Sequence, residues 1–480
     1  MSLIHSFTKL ADDNARKIAL ITAKSQMTYD DLLQLTYLFD FELKTRGVRP
    51  GQTIVMDSTR PEFCIVMGLL LSLRSLTVVF APLESVIAAG VTFDRVITET
   101  PSSVAPAEKQ IVVEANWFQL LGTLPTPALP TEGSGTGAFV FRTSGSTGMS
   151  KFVHSLEDVR QRQAESGDFL GEVDLSGRRV LSTMTIRTGW AFTTILATLL
   201  AGGSVVALDD EIENMLPWTD LYHVDTMATT PAILQILLSV PKVDQYLASL
   251  RDIRLGGAFA SPKLLETFSQ RCPAKLHIGY GSAELGACFR AVFSTEHHKP
   301  QGYLGQFMRP DLEIGFFDAA LQLLPGATEG IVGFRPRDGA FSRQYLSMPD
   351  DDKTGFIDGW FFPGDILRCD GEDYFLLGRT KDIVNFGGNK FALGLVREAL
   401  GLAFPEAPMA PVVIFDADGL ERLAVAYVAS RQITEAEMND ILAPRFKGLR
   451  VLRAMMLKEL PLTESGKIDM AKVKSLFEQD

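Results

Sequence analysis

Short apolar runs alternate with helix-patterned stretches along most of this sequence, and that alternation confines the chain to α/β layers. Thr53–Met56, Thr77–Phe80, Arg95–Ile97, Ala138–Phe141 and Ser204–Leu208 read as buried strands. Pro61–Leu73, Leu156–Phe169, Thr193–Leu200 and Pro262–Gln270 read as helices, the last with Ser261 as N-cap and Pro262 at its first position. Leu121–Gly137, rich in Pro, Thr, Ser and Gly, reads as a loop feeding the strand at Ala138. From about Gly315 to Leu377 the pattern changes to short strands between Gly, Pro and Asp turns, which predicts a small all-β subdomain. The C-terminal stretch predicts a separate α+β unit, with helices at Leu395–Leu400, Glu435–Leu442 and Met470–Phe477 and strands at Val412–Phe415 and Leu423–Val428.

Length and charge narrow the function classes. At 480 residues the chain has room for about three domains. With 46 Lys+Arg against 58 Asp+Glu the net charge is −12, which repels phosphate backbones and anionic membranes. No dense Lys/Arg run breaks that balance, so a nucleic-acid partner is not expected. The 4 cysteines, Cys64, Cys272, Cys288 and Cys369, lie far apart with no C-x-x-C, which argues against a disulfide framework or zinc site and for a reducing, cytoplasmic compartment. The start, MSLIHSFTKLADDNARK, lacks a signal peptide's apolar core. Thr188–Leu208 carries no charge and is long enough to span a bilayer, but Gly202-Gly203 divides it. A buried helix, a turn and a buried strand fit it better than a membrane span.

The strongest local signal is Phe141-Arg-Thr-Ser-Gly-Ser-Thr-Gly-Met-Ser-Lys151, directly after an apolar strand. Hydroxyls at Thr143, Ser144, Ser146 and Thr147 alternate with Gly145 and Gly148, and Lys151 adds a positive charge. Glycines for close approach and small donors between them are what phosphate binding needs. The loop is not a Walker A motif, because Ser150 stands where that motif needs glycine. A flexible surface loop is the plain alternative.

Other segments are weaker alone. In Tyr280-Gly281-Ser282-Ala283-Glu284 the tyrosine could stack on a flat ring and Glu284 could bind a hard cation, or the segment could be a strand and turn. Gly359–Asp365 ends on an aspartate able to accept from a ribose diol or to cap a turn. Leu460–Asp469 carries Lys467 in a Gly-containing loop, where a lysine is ordinarily solvated charge. Asp350–Gly355 starts like a calcium loop but has Phe361 at the twelfth position, and the adjacent His297-His298 cannot face one metal. There is no G-x-S-x-G nucleophile elbow.

Taken in order, the motifs resemble the adenylate-forming superfamily of acyl- and aryl-CoA synthetases, nonribosomal-peptide adenylation domains and firefly-type luciferases. The resemblance rests on Met27–Leu32, Pro61–Phe63, Thr143–Lys151, Leu255–Ala258, Tyr280–Glu284, Trp360–Asp365, Gly378–Asp382 and Leu460–Asp469. It implies an α/β fold: a large N-terminal domain over 1–380, built of two layered α/β subdomains plus a small β-barrel-like one, then a small mobile α+β C-terminal domain over 381–480, hinged at Lys381. It implies that Thr143, Ser144, Gly145, Ser146, Thr147, Gly148 and Lys151 hold the ATP phosphates, that Gly257, Ala258, Tyr280, Gly281 and Ser282 line the adenine and α-phosphate region, and that Asp365 and Arg379 contact ribose. Glu284, with Thr143, would hold Mg²⁺, and Lys467 would bridge the substrate carboxylate and the α-phosphate. In the second half-reaction the C-terminal domain would swing about Lys381, withdrawing Lys467 and bringing Asn385, Gly387 and Gly388 to the site.

The activity implied is ATP-dependent adenylation of a carboxylic acid, then transfer to a thiol, either CoA or the phosphopantetheine of a carrier protein; a non-catalytic adenylate-binding relative is the alternative. A monomer or homodimer is expected. The sequence departs from the family's pattern at Ala283, where threonine is usual, at Pro363, and at Leu395 and Arg397. On the acid side, Gly189 stands where amino-acid-activating domains carry an aspartate, which disfavours an ordinary α-amino acid. Arg187 would either meet a second anion on the substrate or pair elsewhere; Trp190 would line the pocket or belong to the core, and Phe192 is expected in the core.

Overall fold

The computed structural model describes residues 2–114, 117, 136–143, 151–157, 161, 173–208, 214–258, 260–293, 302–339, 341–346, 355–380, 383–386, 389–416, 420–446, 448–463 and 466–478, leaving out the side chains of 262, 383–386, 389–392 and 398. Two mainly parallel sheets lie at its centre. In the first, Thr53–Asp57, Thr77–Phe80, Arg95–Thr98, Gln110–Val112 and Ala138–Thr143 run parallel. Lys151–Leu156 and then Arg343–Tyr345 add antiparallel at one edge. In the second, Ile18–Ile21, Ser204–Val206, Arg179–Ser182, Thr226–Thr229, Asp252–Gly256 and Lys275–Ser282 run parallel.

Apolar periodicity explains both layers. The helix Pro61–Arg74 is buried almost all round, with Pro61 at its first turn. The helix Gly189–Leu200 is equally apolar and lies between the sheets. Phe192 on that helix meets Phe80, Phe139 and Phe141 of the first sheet with ring centroids 5.0, 5.2 and 5.4 Å away. It is a core residue, as expected, and truncation to alanine would cost about 3 kcal/mol or more.

The strand-rich stretch begins at Gly286, before the expected start near Gly315, and extends the second sheet instead of forming a separate subdomain. Gly286–Phe293, Tyr303–Phe307, Asp373–Arg379, Asp365–Asp370 and Glu329–Pro336 follow one another as antiparallel neighbours. Among the described residues these strands form an open ladder, which carries Asp365 and Arg379 back toward the parallel strands. The C-terminal body has its own sheet of Met409–Phe415, Glu421–Tyr427 and Val451–Met456. Leu393–Ala403 and Glu435–Leu442 contribute to the apolar cluster on one face, and Met470–Glu478 covers the other.

Several local expectations shift. Leu156 ends the strand Lys151–Leu156 and the helix expected from it starts one residue later, at Glu157, because Lys151–Leu156 pairs antiparallel with Ala138–Thr143, with Thr143 opposite Lys151. Of that expected helix, Glu157 and Gln161 are helical, and 158–160 and 162–169 lie outside the described residues. The helix expected from Thr193 begins at Gly189, because the Thr188 side chain accepts from the Ala191 N–H and caps it. Ser261 caps Pro262–Arg271 as expected. Thr188–Leu208 is a helix, a turn and a strand, and among the described residues no helix is long and apolar enough to cross a membrane.

Candidate active site

The parallel strands of the second sheet end side by side, and the loops beyond them carry the polar groups. Open α/β sheets bind ligands at the carboxyl ends of such strands. Thr226–Thr229 leads into Thr230, Asp252–Gly256 into Gly257 and Ala258, and Lys275–Ser282 into the turn holding Glu284. Gly257 has φ +82°, a backbone shape that favours glycine, and it and Ala258 are exposed along the cleft.

Tyr280, Asp365 and Arg379 form one hydrogen-bonded group. The Asp365 side chain is 1% exposed and begins the strand Asp365–Asp370, paired with Arg379 across the ladder. The Tyr280 hydroxyl donates to Asp365 Oδ2, and Arg379 Nε donates to Oδ1 at 2.8 Å. Burial, reinforced by the Asp365 charge, pushes the Tyr280 phenol well above its ordinary pKa, so it remains a donor. Its ring stands edge-on to Phe289 at 5.4 Å.

Glu284 sits in a second group. Its Oε1 accepts from the Tyr345 hydroxyl at 2.8 Å, and Lys151 Nζ lies 4.7 Å from the centroid of the Tyr345 ring. Tyr345 gets there because Arg343–Tyr345 is the antiparallel neighbour of Lys151–Leu156. Buried Arg343 donates to the Ala283 carbonyl at 2.9 Å and Arg309 to the Leu285 carbonyl at 2.6 Å, so the turn around Glu284 is held from both sides. A carboxylate here, with Thr143 opposite Lys151 in the hairpin, offers the hard oxygens that Mg²⁺ prefers.

Lys467 enters the cleft from the C-terminal body. Its Cε lies 3.0 Å, and its Nζ 3.8 Å, from where a Cβ on Gly257 would stand. Withdrawal from water pushes the ammonium pKa down to about 8; the Arg379 charge acts in the same direction, while Asp365 and Glu284 oppose it. The structure therefore brings together Gly257, Ala258, Tyr280, Glu284, Asp365, Arg379 and Lys467 from distant parts of the chain, with Gly281 and Ser282 closing the strand that carries Tyr280.

The acid-side residues lie along the same cleft. Trp190, in the first turn of its helix, reaches Gly256: its ring atoms lie 3.1 and 3.4 Å from where a Cβ there would stand. Gly189 begins that helix, and its carbonyl accepts from Thr193 Oγ1 at 2.7 Å. Arg187 pairs with Asp57, Nη1 to Oδ1, at 3.5 Å.

Ser144, Gly145, Ser146, Thr147, Gly148, Lys381, Gly387 and Gly388 lie outside the described residues, as do His297, His298 and Asp350; Asn385 is described only by its backbone, in the strand Ile383–Phe386. Sequence reasoning missed Tyr345, Arg343, Arg309 and Thr230. No local motif marks them, and only strand pairing and burial bring them to the site.

A model of the AMP-binding enzyme family matches residues 85–337. The chain belongs to that family. It is 24% identical to the phenyloxazoline synthase MbtB of Mycobacterium tuberculosis over 99% of its own length but 35% of that protein, so it spans about a third of this curated relative. It is 26% identical to a salicylyl-CoA synthase / salicylate adenylyltransferase of Streptomyces sp. over 72% of this chain and 63% of that one. Among solved structures it resembles the anthranilate CoA ligase AuaEII in complex with anthranoyl-AMP, with a TM-score of 0.80 and 17% identity over 100% of this chain and 98% of that one. It also resembles a benzoate CoA ligase of Burkholderia xenovorans LB400, with a TM-score of 0.82 and 18% identity over 99% and 100%. The two layered α/β sheets followed by a C-terminal α+β body are thus the adenylate-forming fold.

Proposed function

We propose that this AMP-binding family member activates a carboxylic acid by adenylation and passes the acyl group to a thiol. In the first step a carboxylate oxygen attacks the α-phosphorus of ATP, the bond to the bridging oxygen breaks, and pyrophosphate leaves. Two anions must meet, so the protein's task is alignment and charge neutralisation. Lys467 beside Gly257, facing the Asp365–Arg379 pair and Glu284, is the observation that carries the reading.

In this reading Lys467 bridges the carboxylate and the α-phosphate, Asp365 and Arg379 hold ribose, and the Tyr280 ring and the Gly257-Ala258 backbone flank adenine. Thr143, Lys151 and the loop between them receive the phosphates. Glu284 and Thr143 would hold Mg²⁺, which supplies charge neutralisation on phosphate oxygens when bound. Residues 381–480 then act as a domain that turns about Lys381, taking Lys467 out and bringing in the Asn385–Gly388 loop. The thiol attacks the acyl carbon and AMP leaves.

Aromatic acids head the substrate class. The names of four relatives and neighbours, a phenyloxazoline synthase, a salicylyl-CoA synthase, an anthranilate CoA ligase and a benzoate CoA ligase, point that way, and Trp190 over Gly256 offers a flat apolar wall. CoA and carrier-protein phosphopantetheine remain the two acceptors to be separated.

The test is a panel of aryl, acyl, dicarboxylic and amino acids assayed for ATP-dependent pyrophosphate release, with Lys467→Ala as control, first without and then with CoA. Release with one acid class, lost in the variant, supports the reading, and stimulation by CoA assigns the acceptor. ATP binding without release on any acid, with CoA or a phosphopantetheinyl carrier protein present, favours the non-catalytic alternative.

A further inference from the structure

Thr230 stands at the junction of the strand Thr226–Thr229 and the helix Pro231–Ser239, is 1% exposed, and belongs to none of the motifs above. Its Oγ1 donates to the Gly466 carbonyl at 2.6 Å, a buried hydrogen bond between residues 236 apart in sequence. The same oxygen accepts from the Ile233 N–H and caps the helix. The hydroxyl proton is therefore committed to the turn that precedes Lys467.

The turn is built to meet it. The Thr463 N–H donates to the Lys467 carbonyl at 2.7 Å and the Gly466 N–H to the Thr463 carbonyl at 2.8 Å, while Thr463 Oγ1 accepts from the Lys467 N–H at 3.2 Å. Gly466 has φ +68°, and a Cβ there would run into Ile233 and stand 3.2 Å from Thr230 Oγ1. Thr230 also faces the Lys467 landing place, with Cγ2 3.7 Å from where a Cβ on Gly257 would be. Thr463, Gly466 and Lys467 are tied to one another by these bonds, the approach is made by a glycine, and a threonine hydroxyl fastens it to the sheet end.

We propose that Thr230 is a positioning residue for the adenylation step: its hydrogen bond to Gly466 latches the C-terminal turn so that Lys467 is seated at Gly257. The latch rests on the adenylation reading above and deepens it, because it acts in the half-reaction that needs Lys467 and is released in the one that does not. A single hydrogen bond suits a contact that must form and break in each cycle, since its net worth is small when both groups return to water on release.

The test separates the latch from the overall function. Thr230→Val keeps the shape and removes the donor, Thr230→Ser restores it, and Gly466→Ala pushes the turn away from the other side. In ligand-free protein deuterium labelling of the Lys467 backbone amide and of its neighbours in the turn is followed by mass spectrometry. With the best acid of the panel, pyrophosphate release is compared with thioester formation from supplied acyl-adenylate and thiol. We expect Thr230→Val and Gly466→Ala to raise Lys467 labelling and lower kcat for pyrophosphate release by about tenfold, with transfer from the adenylate within about twofold of wild type and Thr230→Ser close to wild type in both. Unchanged labelling, or equal loss in both half-reactions at unchanged thermal stability, overturns the latch. If wild type releases no pyrophosphate on any acid, the function reading fails by itself and the labelling result alone decides the latch.

Discussion

Arg379 Nε lies 2.8 Å from Asp365 Oδ1, and the two side chains are 53% and 1% exposed. The aspartate is the fixed partner and the arginine the adjustable one. Removing Arg379 loses a charge-assisted hydrogen bond, but solvent screens much of the pair, so the fold should tolerate it. Arg379→Ala is expected to weaken ATP binding by about tenfold in calorimetry while shifting thermal stability little. Asp365→Ala strands both Tyr280 and Arg379 and should lower stability as well as binding. Equal stability in the two variants would contradict this assignment of roles.

Tyr345 offers a separate test of the Glu284 group. Its hydroxyl orients the Glu284 carboxylate, while its ring meets Lys151. Tyr345→Phe removes the first contact and keeps the second. Groups that orient a metal-binding carboxylate commonly matter about tenfold or more for metal affinity. The Mg²⁺ concentration giving half-maximal pyrophosphate release should therefore rise about tenfold in Tyr345→Phe, with the ATP KM at saturating Mg²⁺ nearly unchanged. Tyr345→Leu should raise both. An unchanged Mg²⁺ requirement in Tyr345→Phe would remove the tyrosine from this role.

Much of this arrangement was legible in the sequence. Residues such as Gly257, Tyr280, Glu284, Asp365 and Lys467 sit in short contiguous motifs, because each loop must place donors and glycines within a few residues of a strand end. The buried parallel strands were legible for a similar reason: Val78, Val79 and Phe80 form an unbroken apolar run. What escaped was nonlocal. The strand Lys151–Leu156 alternates weakly and exists because it pairs with Ala138–Thr143. Tyr345 matters only because its short strand lies beside Lys151, and Thr230 only because Gly466 reaches it from 236 residues away. Contacts of that kind leave no periodicity to read.

Lys467 carries a pH dependence whose sign follows from its lowered pKa. In water its ammonium titrates at 10.5, and seated in the cleft at about 8. Between those values the withdrawn lysine holds more protons than the seated one, so seating in the ligand-free protein strengthens as pH rises through that window. Below pH 8 the seated form bears the full cost of a desolvated charge. Negative phosphates reverse the balance and draw the proton back. ATP binding near pH 8 should therefore be accompanied by proton uptake, seen as a calorimetric enthalpy that varies with the buffer's ionisation enthalpy. That variation should vanish in Lys467→Ala, and its absence from wild type would mean that the ammonium stays protonated throughout.

Arg187 is already engaged by Asp57 at 3.5 Å, which bears on the choice of acid. A guanidinium whose charge is balanced within the protein gains less from a second substrate anion than one facing an empty pocket, because binding the anion must displace or share the aspartate. Wild type is therefore expected to show no preference for dicarboxylic acids over their monocarboxylic counterparts. Asp57→Asn keeps the side-chain shape and removes the competing charge, so it should shift kcat/KM toward acids with a distal carboxylate by about five- to tenfold, the scale of one charged contact in a partly solvated cleft. Arg187→Leu made in the Asp57→Asn background should abolish that shift, which ties the effect to this arginine and not to a general change of charge. A wild-type preference for dicarboxylic acids would instead show that Arg187 leaves Asp57 when substrate binds.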